Sequence, residues 1–206
     1  MQKTPIFQSI FGRCWHNLPP VMHKHYANRP FTKDQVIIEG EMDVKFRGIF
    51  KIISPLLKLT SILAPIQGEN IPVRVIFKSN ENDNSFHLLR HFNYLSEKAY
   101  WFKSKIVEQE NGSTIEWLNL GLGWKHDFLY EDNKVILRHR GYMLRLLGKA
   151  IPLPISWVFG YGYAEESALS DNSFKMHMTI THPLFGKLYE YKGSFEVKEV
   201  KLCDLS

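Results

Sequence analysis

GIFKIISPLLKLTSILAP, residues 48–65, is the stretch on which the fold turns. Nine of the fifteen residues from Ile49 to Leu63 are Ile, Leu or Phe, more than the single apolar stripe of a surface helix requires. Such a helix has to be covered. Ser54 can cap and Pro55 can take a first helical position, so a kink or restart is expected there. Everything beyond residue 71 reads as strands with one apolar face, and the economical arrangement is an antiparallel sheet curling around this helix.

On the N-terminal side, Ile6, Phe7, Ile10 and Phe11 recur at helical spacing until Leu18-Pro19-Pro20 ends the run, and a short second helix over 20–26 follows. His16, His23 and His25 lie close together, but no Cys or well-placed carboxylate completes a metal site. Residues 36–47 alternate: Ile38, Met42, Val44 and Phe46 face one way, Glu39, Glu41, Asp43, Lys45 and Arg47 the other. Glu41 and Asp43 therefore belong to a solvated face and not to an acid-base pair.

The C-terminal strands follow the same rule. Val73, Val75 and Phe77 share a face, as do Phe86, Leu88, Arg90 and Phe92, and then Tyr100, Phe102, Ser104 and Ile106. Asn111-Gly112 is a strong hairpin signal. As a two-residue turn it sets Ile106 opposite Trp117 and puts Glu116 on the lysine face. A longer loop, or a bulge at Gly121 or Gly123, moves Glu116 to the core, and both registers stay open. A two-residue turn at Asp132-Asn133 pairs Phe128 with Leu137, His126 with His139 and Trp124 with Gly141, and opposes Asp127 to Arg138 as a surface ion pair. Residues 148–157, with two prolines, read as a crossing loop or corner. A turn at Asp171-Asn172 sets Glu165 against Met178 and Tyr163 against Ile180, placing Glu165 inside and Glu166 outside, facing His177. In the last strand, 188–197, Tyr189, Tyr191 and Phe195 point inward.

Composition narrows the class. The chain has 206 residues, of which 44% are hydrophobic and 23% charged, ordinary for one globular domain. Its net charge of +5 is spread along the chain without the clustering of a nucleic-acid reader. Cys14 and Cys203 form neither a zinc pattern nor a disulfide framework, so reduced thiols are expected. The N-terminus lacks the apolar run of a signal peptide. Residues 48–65 fall short of the ~20 apolar residues a membrane span needs, and Lys51 and Lys58 interrupt them. A soluble, cytoplasmic protein is expected.

No GxSxG, HExxH, paired CxxC or phosphate-binding loop is present; Gly121 and Gly123 make only a GxG within a strand. Arg90, Ser104, His126, His139 and Glu165 are polar residues set against the apolar grain. Buried charge must be paired. Two readings stay open: a structural Arg90–Glu165 pair with hydrogen-bonded core histidines, or the polar end of an apolar pocket walled by Trp117, Trp124, Tyr142 and Tyr163.

LPPVMHKHY at 18–26, GENIPVRVIF at 68–77, RHF at 90–92 with WFKSK at 101–105, and THPLFGKLYEYKG at 181–193 together resemble the bacterial family of domains of unknown function numbered 4166. The resemblance covers nearly the whole chain, and it is the order of the motifs that makes it specific. It implies no assigned activity. Some members of that family are joined to dehydrogenase-like domains, which implies a separate dehydrogenase-like protein as a partner here. Pro55 departs from the family's more continuous helix.

The reading is an α+β domain over 1–206: a strongly bent, partly barrel-like antiparallel meander of about eight strands, in 36–47 and 71–198, packed on helices in 4–26 and 49–64. The expected function is non-catalytic binding of a small hydrophobic or lipid-like molecule with a polar or anionic head group, without a cofactor, a metal or nucleic acid. An enzyme or enzyme accessory domain using the same cavity for acid-base chemistry, or a peripheral membrane or protein-interaction module through the helix at 48–65, are the alternatives.

Overall fold

Strand alternation, more than the apolar helix, organises the chain. The computed structural model describes residues 4–60, 62–94, 99–110 and 112–203. Its strands are β1 (Gln35–Phe46), β2 (Gly68–Asn80), β3 (Asp83–Phe92), β4 (Tyr100–Glu108), β5 (Thr114–Trp117), β6 (Leu122–Glu131), β7 (Lys134–Leu146), β8 (Lys149–Leu153), β9 (Tyr161–Ala168), β10 (Ser173–His182) and β11 (Gly186–Lys201). The order across the sheet is β6-β5-β4-β3-β2-β1-β11-β10-β9-β7-β8, and β6 also pairs with β7. That last ladder closes ten antiparallel strands into a barrel, with β8 appended outside β7.

The expectation of about eight strands in a partly barrel-like sheet is coarser than the structure, which has eleven strands among the described residues and closes fully. The missing strands are short. β5 has four residues, and β8 contains Pro152, a residue that sheets accept at an edge. Sharp coiling between β1 and β11 is possible because Gly40 and Gly193 face the opposite backbone, where any Cβ would collide with the carbonyl oxygens of Ser194 and Glu41.

The two barrel ends differ. At one, α1 (Ile6–Phe11), a 3-10 turn (Gly12–Asn17) and α2 (Pro20–His25) form a plug. Phe7 is fully buried, edge-on to Phe86 and Phe128 at 4.8 and 5.0 Å between ring centroids. Lys24 ties the plug to the β9–β10 turn through the Asp171 carbonyl and Asn172 Oδ1. At the other end α3 (Ile49–Thr60) lies at the mouth.

The helix placement corrects the first expectation: the sheet does not wrap α3. Phe50 and Leu57 are buried, whereas Ile52, Leu56 and Leu59 are exposed. Nor does Pro55 restart the helix. Proline removes the N–H that would bond the Lys51 carbonyl, and Ser54 Oγ donates to that carbonyl instead at 3.0 Å. α4 (Ser156–Phe159) follows β8 at the same end, and its Phe159 meets Phe50.

Turn length decides which side chains enter the barrel. Asp132 and Asn133 both adopt positive φ, the two-residue turn expected, and the Phe128–Leu137 and His126–His139 pairs follow. A bulge at Arg140-Gly141 then shifts the register, so Trp124 meets Tyr142 and not Gly141. Asp127 does oppose Arg138, yet the ion pairs formed are Arg138–Glu131 at 3.0 Å and Arg140–Asp127 at 2.5 Å.

The other two hairpins use one residue more than a two-residue turn. Gln109 N–H donates to the Ser113 carbonyl, and Ile106 meets Glu116, which selects the core-facing alternative for that carboxylate. Asn111 itself lies outside the described residues. In the β9–β10 loop, Ser170 Oγ accepts from the backbone of Asn172 and Ser173, and His177 pairs with Glu165, Met176 with Glu166. A one-residue slip exchanges faces. Glu165 is therefore outside and Glu166 inside, the reverse of the expectation.

Candidate functional site

Arg90 sits mid-strand on β3, between Val75 and Phe102. Its Nη1 donates to Ser104 Oγ at 2.8 Å, its Nη2 to Glu116 Oε1 at 2.9 Å, and Ser104 Oγ donates to the same carboxylate oxygen at 2.5 Å. The guanidinium also lies over the Phe102 ring, 4.6 Å from its centroid. Burial pushes the Glu116 carboxyl up, but the Arg90 charge and the Ser104 hydrogen bond outweigh it and hold Glu116 below the usual carboxylate range.

This ion pair separates two cavities. The upper one, about 290 Å³, lies beneath α3 and is walled by Phe50, Leu57, Leu118, Trp124, Tyr142 and Met178, with Arg90, Glu116 and Tyr191 among its lining. The lower one, about 60 Å³, lies toward the plug and shares Arg90, Glu116, Trp124 and Tyr191, adding His25, Tyr26 and Glu166. Tyr191 therefore lines both. Burial pushes its hydroxyl up to about 12, and that hydroxyl makes no hydrogen bond to the described residues.

In the lower cavity Tyr26 Oη donates to Glu166 Oε2 at 2.7 Å. Burial raises the Glu166 carboxyl to about 7, with the Tyr26 hydrogen bond and the Arg90 charge opposing it. His25 Nε2 is 3.7 Å from the same oxygen, a separation that would suit an ion pair. Burial, however, pushes His25 down to about 3, so at neutral pH this is a neutral imidazole beside a carboxyl. Its Nδ1 is buried without a partner among the described residues.

Two more histidines stand behind the Trp124 ring. His126 Nδ1 is 3.1 Å from the Trp124 carbonyl, so Nδ1 carries the proton, and Nε2 is a buried acceptor without a partner among the described residues. Burial lowers His126 to about 4. His139 Nδ1 accepts from Trp124 Nε1 at 2.9 Å, which leaves its Nε2–H to donate to Ser156 Oγ at 3.1 Å, and burial lowers it likewise to about 4.

Of the nine residues singled out in the sequence, Arg90, Trp124 and Tyr142 line the upper cavity. Ser104 braces Arg90 and Glu116, and His126 and His139 pack against Trp124 and Tyr142. The remaining three lie elsewhere. Glu165 bonds Lys134 at 3.0 Å and accepts from the half-exposed Tyr163, so the proposed Arg90–Glu165 pair is replaced by Arg90–Glu116. Trp117 is buried outside the barrel, with Ile115 and Met143, beneath the Arg145 guanidinium. Sequence reasoning missed Glu116 and Glu166 as site residues. Their only signal was position within a hairpin whose loop length the chain leaves open.

The fold and site define an antiparallel β-barrel with one plugged end and an apolar chamber interrupted by a single buried ion pair. The chain belongs to the family described as Domain of unknown function (DUF4166), whose model matches residues 18–195. No curated protein matches it. Among solved structures, bovine odorant binding protein complexed with its natural ligand is similar at 10% identity and a TM-score of 0.27, over 81% of this chain and 72% of that one. The dehydratase domain of the polyketide PpsC from Mycobacterium tuberculosis is similar at 6% identity and a TM-score of 0.20, over 86% and 80%. At such scores neither likeness supports a statement about the function of this chain, which has to be read from its own residues.

Proposed function

We propose that the chain binds one small, mostly apolar molecule in the upper cavity, with an uncharged, oxygen-bearing end directed at Arg90, Glu116 and Tyr191. The observation that carries this is a 290 Å³ chamber whose only charged lining groups among the described residues, Arg90 and Glu116, neutralise each other. That volume is near the lower end of the ~300–1,000 Å³ of small-molecule sites and about twice the ~150 Å³ apolar cavity that admits benzene. A molecule of roughly two rings, or a short acyl chain, is the matching size. A carboxylate head group gains little here, because Arg90 is already satisfied by Glu116. A hydroxyl or carbonyl can bond the Tyr191 hydroxyl or a spare guanidinium N–H without unpairing the two charges.

Acid-base chemistry is less well supported. Glu166 is the carboxyl with a value near neutrality, and its cavity of about 60 Å³ has room for water more than for a substrate.

Native mass spectrometry of freshly purified protein, followed by denaturing extraction, tests the reading. The expected result is an apolar adduct at unit stoichiometry that is lost in Met178→Trp, which projects a larger ring into the upper cavity. A bare chain mass, with no thermal shift across a panel of fatty alcohols, sterols and aromatic ketones, sinks it.

A further inference from the structure

We propose that the open end of the barrel docks on a bilayer containing anionic lipid. Because neighbouring strands alternate in direction, the connections at 47–67, 118–121, 147–160 and 183–185 all emerge at the end where α3 lies, while the turns at 81–82, 109–113, 132–133 and 169–172 emerge at the plugged end. The two sets differ in chemistry. The plugged-end turns carry Glu81, Glu110, Asp132 and Asp171 and no Lys or Arg.

The open end is the opposite. The connections 47–67, 118–121, 147–160 and 183–185 contain Arg47, Lys51, Lys58 and Lys149 and no Asp or Glu, and Arg145 and Lys187 flank them on β7 and β11. A fifth connection, 93–99, carries one charge of each sign. These four connections carry +4 against −4 for the plugged-end turns, beside which the plug, 4–34, has Arg13, Lys24, Arg29 and Lys33 against Asp34. Lys187 is paired with Glu190 on β11, Arg47 donates to the Lys187 and Phe185 carbonyls, Arg145 lies over the Trp117 ring, and Lys58 has a partner as well.

The same segments display large apolar side chains at their tips. Leu147 is 94% exposed at the β7–β8 hairpin, Leu59 83% on α3 and Leu184 83% before β11, with Leu120, Trp157 and Phe185 also exposed. They come from separate connections around one opening. A protein partner would have to supply a pocket for each projecting side chain, whereas a bilayer accommodates scattered tips, and tryptophan favours its interfacial region. Cations interleave with the apolar tips: Lys51 on α3, Arg145 and Lys149 on either side of Leu146-Leu147. That pairing of inserted apolar groups with surrounding positive charge is the complement of an anionic membrane surface. Among the described residues no helix is long and apolar enough to cross a membrane, so the contact is peripheral. Docking stands independently of whether the cavity holds a ligand.

The test is co-sedimentation of the full chain with vesicles of phosphatidylcholine alone and of phosphatidylcholine with roughly a third phosphatidylserine. The expected result is partitioning onto the anionic vesicles, at least tenfold weaker for Leu147→Asp/Leu184→Asp and reduced to the phosphatidylcholine level for Lys51→Glu/Lys149→Glu. Both variants change exposed tips, and unchanged thermal unfolding confirms that each is folded. The filled-cavity Met178→Trp variant should partition as the parent does, which separates this proposal from the ligand reading. No vesicle binding by the parent, binding that is indifferent to both double variants, or self-association through these tips without vesicle binding each overturns it.

Discussion

Arg90 Nη2 lies 2.9 Å from Glu116 Oε1 in the wall that the two cavities share, and Ser104 Oγ bonds both partners. Each charge is stranded if the other is removed. Arg90→Met leaves a carboxylate in the barrel interior and should cost about 3–5 kcal/mol. The double change Arg90→Met/Glu116→Leu should recover most of that loss, since an apolar pair needs no compensation. Urea unfolding at neutral pH measures both, and a double variant as unstable as the single one would contradict the pairing.

Tyr191 offers a cleaner probe of the cavity. Its hydroxyl makes no hydrogen bond to the described residues, so Tyr191→Phe should leave stability within about 0.5 kcal/mol of the parent. Affinity for an oxygen-bearing ligand should fall by roughly tenfold, the worth of one hydrogen bond. A loss of stability without a loss of affinity would place the hydroxyl in a structural role.

On the acid side, His126 is one of three histidines that burial holds neutral, with His25 and His139. Its value is depressed to about 4 from the ordinary 6.5, so the folded state binds fewer protons than the unfolded one between these values. Its contribution is complete above pH 6.5 and is lost as pH falls toward 4, by on the order of 3 kcal/mol. His126→Phe should make that limb shallower in urea titrations across pH without removing it, since His25 and His139 still take up protons there. An unchanged acid limb would mean that the imidazole is not held neutral.

Glu166 acts in the opposite sense. Its folded value of about 7 exceeds the ordinary 4.5, so its contribution is complete below pH 4.5 and is lost as pH rises through 7, by about 3 kcal/mol. Between pH 4.5 and 6.5 this loss runs against the gain from His126, so the two contributions largely offset each other there. Glu166→Gln should gain stability relative to the parent progressively from pH 5 to 7.5 while keeping an acceptor for the Tyr26 hydroxyl. Infrared detection of a protonated carboxylic acid at pH 6, absent in Glu166→Gln, would report the same group directly.

The candidate site was legible in part. Arg90 stands in a row with Phe86, Leu88 and Phe92, and the structure keeps that row on one face. The His126–His139 pair followed from Asp132-Asn133, because two positive-φ residues make a turn whose length admits one register. Glu116 and Glu166 were not legible in the same way. Each follows or precedes a loop that holds one residue more than its turn dipeptide suggests, and the extra residue turns the whole strand over. The apolar helix misled for a different reason: it is apolar on two faces, of which one closes the barrel and the other is left exposed.

Alternation within each strand is local, set by the pleat, and the amino-acid sequence by itself determined it: which residues travel together on a face, that most of the chain is antiparallel sheet, and that a few polar groups break the apolar rows. Which face points inward, which carboxylate meets Arg90, and whether the sheet closes are relations between strands. They depend on whether each loop holds an odd or even number of residues and on backbone approaches such as Gly40 against Ser194 and Gly193 against Glu41, and only packing of all ten strands around one interior selects among registers that are locally almost equal.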